Sequence, residues 1–270
     1  LPTGARVVAD GLLLTGMGKA LSARPDLELL ALVHSPLARE GWGEGVQARE
    51  RAALAKSTHV VATSDATADE LRRLTGRAVE VVVPGTDPAA PLPPGPGHRL
   101  LCPAHLIPRK GHQVLLSALD MLGSRRFSLD LVGSLRAHPE TAEAVAMWSR
   151  ARSSHVRLLG EQDQAGMEAA YANADLVMIS SHYEAFGMVL TEAVARGRPV
   201  LCTPAGATPL LGDAVEVVPR DDARALATAL ARWLDDPSLR ARRVEAAHIA
   251  AAALPRWPAQ AARLLACFHP

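Results

Sequence analysis

DLVMISSHYEAFGMVLTEAVARGRPVLC, residues 175–202, is the stretch on which the fold turns. It opens on an apolar run, Asp175–Ile179, and passes through a polar loop holding Glu184 and Gly187. It continues as a helical segment, Met188–Arg196, which bears Glu192, and after Gly197 it ends on a second apolar run, Pro199–Cys202. Apolar runs that do not alternate with polar residues predict strands buried on both faces, and strand–loop–helix–strand is the repeating unit of a parallel sheet. The loop-to-helix transition predicts free backbone N–H groups at Phe186, Gly187 and Met188, where an anion or a hydroxyl is readily held. Gly187 lets a ligand approach the backbone closely. Glu184 and Glu192 flank this nest. Paired carboxylate oxygens suit the vicinal diols of sugars and ribose, and they equally suit solvated charges favoured near a helix start.

The same rhythm extends in both directions. Apolar runs occur at Arg6–Ala9, Leu29–Val33, Val60–Thr63, Val79–Val83, Leu100–Cys102, Leu129–Val132, Val156–Leu159 and Val215–Val218. Segments of helical length lie between many of them: Gln47–Lys56, Ala66–Leu74, Gln113–Leu122, Ala142–Arg152 and Gln164–Asn173. This alternation predicts an α/β protein with parallel sheets. Residues Pro84–Gly97, PGTDPAAPLPPGPG, break it and read as an interdomain linker, with about four strands before and about six after. After Asp222 the pattern is purely helical, and Pro255 and Pro258 set off a last helix, Ala259–Cys267.

Composition narrows the function. The 270 residues carry a formal charge of +1, which argues against nucleic acid or an anionic membrane as the main partner. Three widely spaced cysteines, Cys102, Cys202 and Cys267, fit neither a disulfide framework nor a zinc site, so a reducing cytoplasm is expected. No signal-peptide pattern and no spanning apolar stretch is seen. There is no P-loop, no complete dinucleotide glycine fingerprint and no Gly-x-Ser-x-Gly elbow. No Asp-x-Asp triplet and no local histidine pair is present to clamp a metal, so no metal and no cofactor is expected.

A second site is read in LLCPAHLIPRKG, Leu100–Gly111: a strand, a loop with Arg109 and Lys110, then a helix. Two cations before a helix start can hold a diphosphate and stabilise it as it leaves; the bland reading is a cationic loop in solvent. His34 stands at the end of Leu29–Val33, where strand ends of open α/β sheets face a crevice, or it is a core histidine. Thr63-Ser64 ends the next strand, as a site pair or as a helix cap. Gly133 closes Leu129–Val132, near a ligand or as an ordinary strand end.

Glu184 and Glu192, in their Tyr-Glu-x-Phe-Gly context, resemble the Glu-x7-Glu motif of family 4 retaining glycosyltransferases, the group 1 glycosyltransferases of the GT-B fold. The resemblance runs from about Val7 to the C-terminus. It implies two Rossmann-like domains with parallel sheets facing a cleft: residues 1–97 a partial, acceptor-side N-terminal domain with its linker, 98–254 a nucleotide-sugar-binding domain, and 255–270 a helix crossing back to the N-terminal domain. The N-terminal domain is expected to be incomplete, because the family's opening strand and Gly-rich loop are not matched. The implied reaction moves a sugar from a nucleotide diphosphate sugar to a hydroxyl of a glycan, lipid or small molecule, with retention and without metal. Alternatives on the same fold are a catalytically silent nucleotide-sugar-binding module and a sugar-nucleotide epimerase.

By the same resemblance Glu184 meets the donor sugar, Glu192 the ribose, and Lys110 and Gly111 match the family's Lys-Gly pair. Ala104-His105 replaces the usual Gly-Arg, so Arg109 or His105 supplies the second cation, Arg109 being preferred. The catalytic set implied is His34, Arg109, Lys110 and Glu184. The donor-binding set is His105, Gly133, Phe186, Gly187, Met188, Val189 and Glu192, with base contacts expected near Leu159–Glu161. Pro204–Leu210 resembles the family's Gly-Gly-x-Pro-Glu loop but has Leu210 in place of its Glu. Expected partners are the donor and the acceptor, no nucleic acid, with peripheral membrane contact allowed for.

Overall fold

Each apolar run read from the sequence forms a strand, and the strands assemble into two parallel sheets. The structure, a computed structural model, describes residues 1–41, 43–152 and 155–269. The spans of the three expected domains also take in residues 42, 153, 154 and 270, which lie outside the described residues. The chain divides into two compact units. One is Leu1–Thr86 with the chain from Pro255 onward; the other is Asp87–Leu254.

The first unit runs β1 (Arg6–Asp10), α1 (Gly11–Gly16), α2 (Gly18–Ser22), β2 (Glu28–Val33), α3 (Glu44–Lys56), β3 (His59–Ala62), α4 (Asp65–Thr75) and β4 (Glu80–Val81). The strands lie in sequence order, all parallel. Right-handed crossovers that always step the same way place their helices on one face of the sheet. Side chains alternate across a strand, and the two faces separate accordingly. Leu29, Ala31, Val33, Val60 and Ala62 pack with Leu54 and Leu71 of the helices, whereas Leu30, Val61 and Val82 pack with Cys267 and Phe268 from the end of the chain. The Thr63-Ser64 pair acts locally. Ser64 Oγ accepts from Thr67 N–H at 3.2 Å and caps α4, and Thr63 Oγ1 donates to the His34 carbonyl at 3.1 Å.

The second unit runs β5 (Arg99–Pro103), α5 (His112–Asp120), β6 (Ser128–Val132), α6 (Pro139–Arg150), β7 (Val156–Gly160), α7 (Gln164–Asn173), β8 (Leu176–Ile179), α8 (Met188–Ala195), β9 (Val200–Cys202), β10 (Val215–Val217), α9 (Ala223–Asp235) and α10 (Pro237–Ala253). The helix α11 (Trp257–Ala266) returns to the first unit. The sheet order is β10-β9-β8-β5-β6-β7, so the winding starts at β5, proceeds outward to β7, then reverses from β8 to β10. This is the doubly wound order in which ligands bind beyond the carboxyl ends of the two strands where the direction reverses. Those strands are β5 and β8, paired through Leu100 with Leu176 and Leu101 with Val177.

The Pro/Gly tract expected as a linker is crossed by the division between Thr86 and Asp87, and its later part is bound into the second unit. Leu92 N–H donates to the Arg196 carbonyl, Pro93 accepts from Arg198, and Gly97 N–H donates to Asp175 Oδ2 at 2.9 Å. Asp175 lies at the foot of β8 and also pairs with Arg99 at 2.7 Å. Burial pushes its carboxyl up, but the Arg99 guanidinium and the N–H groups of Arg99 and Gly97 outweigh that and hold it below the usual carboxylate range.

Candidate functional site

The loops that follow β5 and β8 come together at the reversal point. After β5 the chain makes a short 3-10 turn over Pro108–Lys110 and enters α5 from Gly111. Gly111 has φ of 64°, and a Cβ there would stand 2.0 Å from the Ser180 carbonyl oxygen, so only glycine fits. Ser180 Oγ donates to the Gly111 carbonyl at 3.0 Å. Two further bonds strap the loops: Arg109 Nη1 donates to the Tyr183 carbonyl at 3.0 Å, and His182 N–H donates to the Arg109 carbonyl at 2.9 Å. His182 also meets Asp221 through Nδ1.

Lys110 and Glu184, read from segments 74 positions apart, are in direct contact: Lys110 Nζ donates to Glu184 Oε2 at 2.6 Å. Both side chains are mostly buried. Ser181 Oγ donates to the same oxygen at 3.2 Å, and Thr203 Oγ1 holds the Ser181 carbonyl at 2.6 Å. Next to Lys110, His112 is buried with neither ring nitrogen bonded; burial and then the Lys110 charge push its pKa down to about 4, which keeps it neutral.

Gly187, with φ of 90°, begins α8, so Met188 and Val189 stand in the helix's first turn, where N–H groups lack an intrahelical acceptor. Phe186 is buried, and its carbonyl accepts from Ala207 N–H at 2.8 Å. The Pro204–Leu210 loop thus lies against the Glu184–Gly187 loop. Glu192 follows one turn into α8 and accepts from Tyr171 Oη at 3.0 Å. His105 Nδ1 accepts from Ser134 N–H at 3.0 Å, so a neutral His105 carries its proton on Nε2. Gly133 lies 2.2 Å, measured from its missing Cβ, from the Ala104 carbonyl oxygen, which explains glycine there by close backbone approach. His34 belongs to the first unit, is 59 % exposed and stands 3.4 Å from Asp10 through Nε2.

The structure therefore joins Arg109, Lys110, Glu184, Phe186, Gly187, Met188, Val189 and Glu192 around the two loops, with His105 and Gly133 at the neighbouring ends of β5 and β6. Residues without an assigned role in the sequence reading also serve this region: Ser181 on Glu184, Tyr171 on Glu192, and Ser180 against Gly111. For the serines the signal was position, two small polar residues directly after a buried strand. Among the described residues no group of three or more His, Cys, Asp or Glu is placed to hold a metal ion, and no helix is long and apolar enough to cross a membrane.

Comparison with known proteins addresses the fold and the family. Solved structures of the same GT-B fold class superpose over nearly the whole chain. Sucrose-phosphate synthase from Thermosynechococcus elongatus matches with a TM-score of 0.84 over 96 % of this chain and 71 % of its own, at 24 % identity. Anabaena Alr3699/HepE in complex with UDP matches with a TM-score of 0.81 over 97 % and 77 %, at 20 % identity. Among curated relatives, the phosphatidyl-myo-inositol mannosyltransferase of Mycolicibacterium smegmatis is 37 % identical over 50 % of this chain and 35 % of its own length. A Mycobacterium tuberculosis glycogen synthase is 29 % identical over 84 % and 59 %. The chain thus spans between a third and three fifths of the length of these two relatives. The family model for glycosyl transferases group 1 matches residues 86–249, more than half of the chain and the whole of the two-loop site, and on that match this chain belongs to the group 1 glycosyl transferases.

Proposed function

We propose that the second unit binds a nucleoside diphosphate sugar and that the protein transfers the glycosyl group to an acceptor hydroxyl, with retention and without a divalent metal. One observation carries this reading. Of the helices in this unit, α6, α7, α9 and α10 have a side chain capping the first turn; α5 and α8 have none, and they are the two that start at the reversal point. Their free N–H groups carry the positive end of the helix dipole, and Lys110 sits between them. That set matches a diphosphate. Glu184, beside Lys110, is suited to sugar hydroxyls, and Glu192, further along α8, to the ribose diol.

In the transfer the bond from the anomeric carbon to the diphosphate oxygen breaks, and a bond to the acceptor oxygen forms on the same face. The acceptor proton leaves with the departing oxygen. Negative charge grows on the diphosphate, so fixed donors aimed at it favour the transition state over the ground state. Arg109 remains the preferred second cation toward the diphosphate, and its bond to the Tyr183 carbonyl also holds the Glu184 loop against Lys110. The three free cysteines support a reducing compartment such as the cytoplasm.

The test is calorimetry of UDP-sugars and GDP-sugars with and without chelator, followed by NMR of the product formed from the tightest donor and a panel of glycan, lipid and small-molecule acceptors. Binding that survives chelation and a product with the donor's anomeric configuration are expected. Loss of binding in chelator refutes metal independence, inversion refutes retention, and binding without any product assigns a silent nucleotide-sugar module.

A further inference from the structure

We propose that Tyr171 is a positioning residue for Glu192, and that the chain Glu168–Arg196–Tyr171–Glu192 makes the site select donors that carry ribose hydroxyls. The inference rests on the reading that Glu192 holds the ribose.

Tyr171 stands near the end of α7 and is 1 % exposed, yet its hydroxyl reaches Glu192 Oε2 at 3.0 Å. A buried tyrosine hydroxyl needs a partner, and a carboxylate is a strong one. Burial, reinforced by the Glu192 charge, raises the Tyr171 pKa well above its ordinary value, so the phenol stays protonated and donates. With Oε2 engaged, Oε1 is the oxygen that has no hydrogen bond among the described residues and is left to accept from a hydroxyl.

Both partners are held from a third side. The Arg196 guanidinium carbon lies 4.8 Å from the centre of the Tyr171 ring, a cation–π distance. Arg196 Nη1 donates to the Glu192 carbonyl at 2.8 Å, and its Nε donates to Glu168 at 2.9 Å. The Tyr171 carbonyl in turn accepts from the buried Arg198 at 3.1 Å. The tyrosine is thus fixed at its backbone, its ring and its hydroxyl, and the carboxylate is fixed at its backbone and at one oxygen. A long, flexible glutamate side chain held this way has little rotamer freedom left to lose when a diol binds.

The probe is UDP or GDP, whichever the wild type binds more tightly, compared with its 2′,3′-dideoxy analogue, by calorimetry. Wild type, Tyr171→Phe, Glu192→Gln and the double variant are measured, with melting temperatures alongside. Tyr171→Phe is expected to weaken the ribonucleotide about 5- to 20-fold, the scale of one charge-assisted hydrogen bond, and to leave the dideoxy analogue unchanged. Glu192→Gln is expected to lose more, and the double variant no more than Glu192→Gln. If Tyr171→Phe lowers the melting temperature but keeps the wild-type ratio of ribo to dideoxy affinity, Tyr171 is only structural and the inference fails. If Glu192→Gln also keeps that ratio, or the wild type binds neither nucleotide, the ribose reading itself fails. Arg196→Met, which removes the stacked guanidinium but keeps the hydroxyl, answers the same question should Tyr171→Phe not fold: a reduced ratio supports the inference and an unchanged one overturns it.

Discussion

The helix starts of the second unit fall into two groups. Away from the reversal point, α6 begins on His138, which accepts from Thr141 N–H; α7 begins on Asp163, which accepts from Gly166 N–H. Asp222 does the same for Ala225 at the start of α9, and Asp236 for Ser238 and Leu239 at the start of α10. At the reversal point α5 and α8 begin on Gly111 and Gly187, which bring no side chain. A side-chain cap is worth about 1 kcal/mol to a helix. The same N–H groups serve a cap or an anion, so the two helices that forgo a cap are the two with donors to offer a ligand.

The sharpest way to break this comparison is Lys110→Ala. A single preorganised donor at a developing charge is worth about 100–1,000-fold in rate, and single-turnover transfer from labelled donor should fall by that much, with a smaller loss of donor affinity. Because Lys110 contacts Glu184 at 2.6 Å, its removal also leaves a mostly buried carboxylate unpaired. Adding Glu184→Gln should therefore recover stability and not rate. Equal transfer rates for wild type and Lys110→Ala would mean that the uncapped helix starts do not face the leaving group.

Asp175→Asn tests the foot of the same strand and should affect folding alone. Asp175 is 2 % exposed and paired with Arg99, and removing one partner of such a pair costs about 3 kcal/mol. Its folded-state pKa is depressed, so its stabilisation is present above the unfolded-state pKa and is lost as pH falls through the folded-state pKa. Denaturant titrations at pH 7 and in acid should show the gap between wild type and Asp175→Asn narrowing with acid. A gap that stays constant would refute the ion-pair account.

Smaller effects sharpen the contrast between helix starts. Gly187→Asn places a side chain over the first turn of α8, where its Cβ would stand 3.0 Å from Leu190 and 3.2 Å from Glu184; the folded protein should bind donor about tenfold more weakly, with some loss of melting temperature from the crowding. Asp163→Ala should lower stability by about 1 kcal/mol and leave the donor dissociation constant unchanged. A pair of results in the opposite sense would remove the distinction between the two groups of helices.

The strands were readable because a parallel sheet covered on both faces favours apolar runs, although Glu80, Asp130, Arg157 and Glu216 each interrupt one. α7 at Gln164 and α8 at Met188 begin where the pattern puts them, but two helices begin earlier. α3 begins at Glu44 and α6 at Pro139, three residues before the apolar pattern of each becomes visible, because a first turn is polar and set by its cap. α1 and α2 escaped the reading altogether: they are short and rich in glycine at their ends, and they leave Leu12, Leu13 and Met17 exposed, so no apolar face marks them. At the site, the spacing of Glu184 and Glu192 was legible because it is local. The Tyr171 contact to Glu192 and the Lys110 contact to Glu184 join separate helices and loops, and only the order of strands in the sheet brings them together.

The placement of Cys267 and Phe268 has a consequence for how the protein is made. They complete the second face of the first sheet, against Leu30, Val61 and Val82. A ribosome releases residues 1–86 before residues 87–254, so Cys267 and Phe268 reach that sheet only after the whole intervening unit has emerged. During synthesis the sheet of residues 1–86 therefore waits with Leu30, Val61 and Val82 bare of these partners, open to chaperones and to other nascent chains. A stop codon just before Cys267 would spare every group at the reversal point and still leave the sheet of residues 1–86 without that cover.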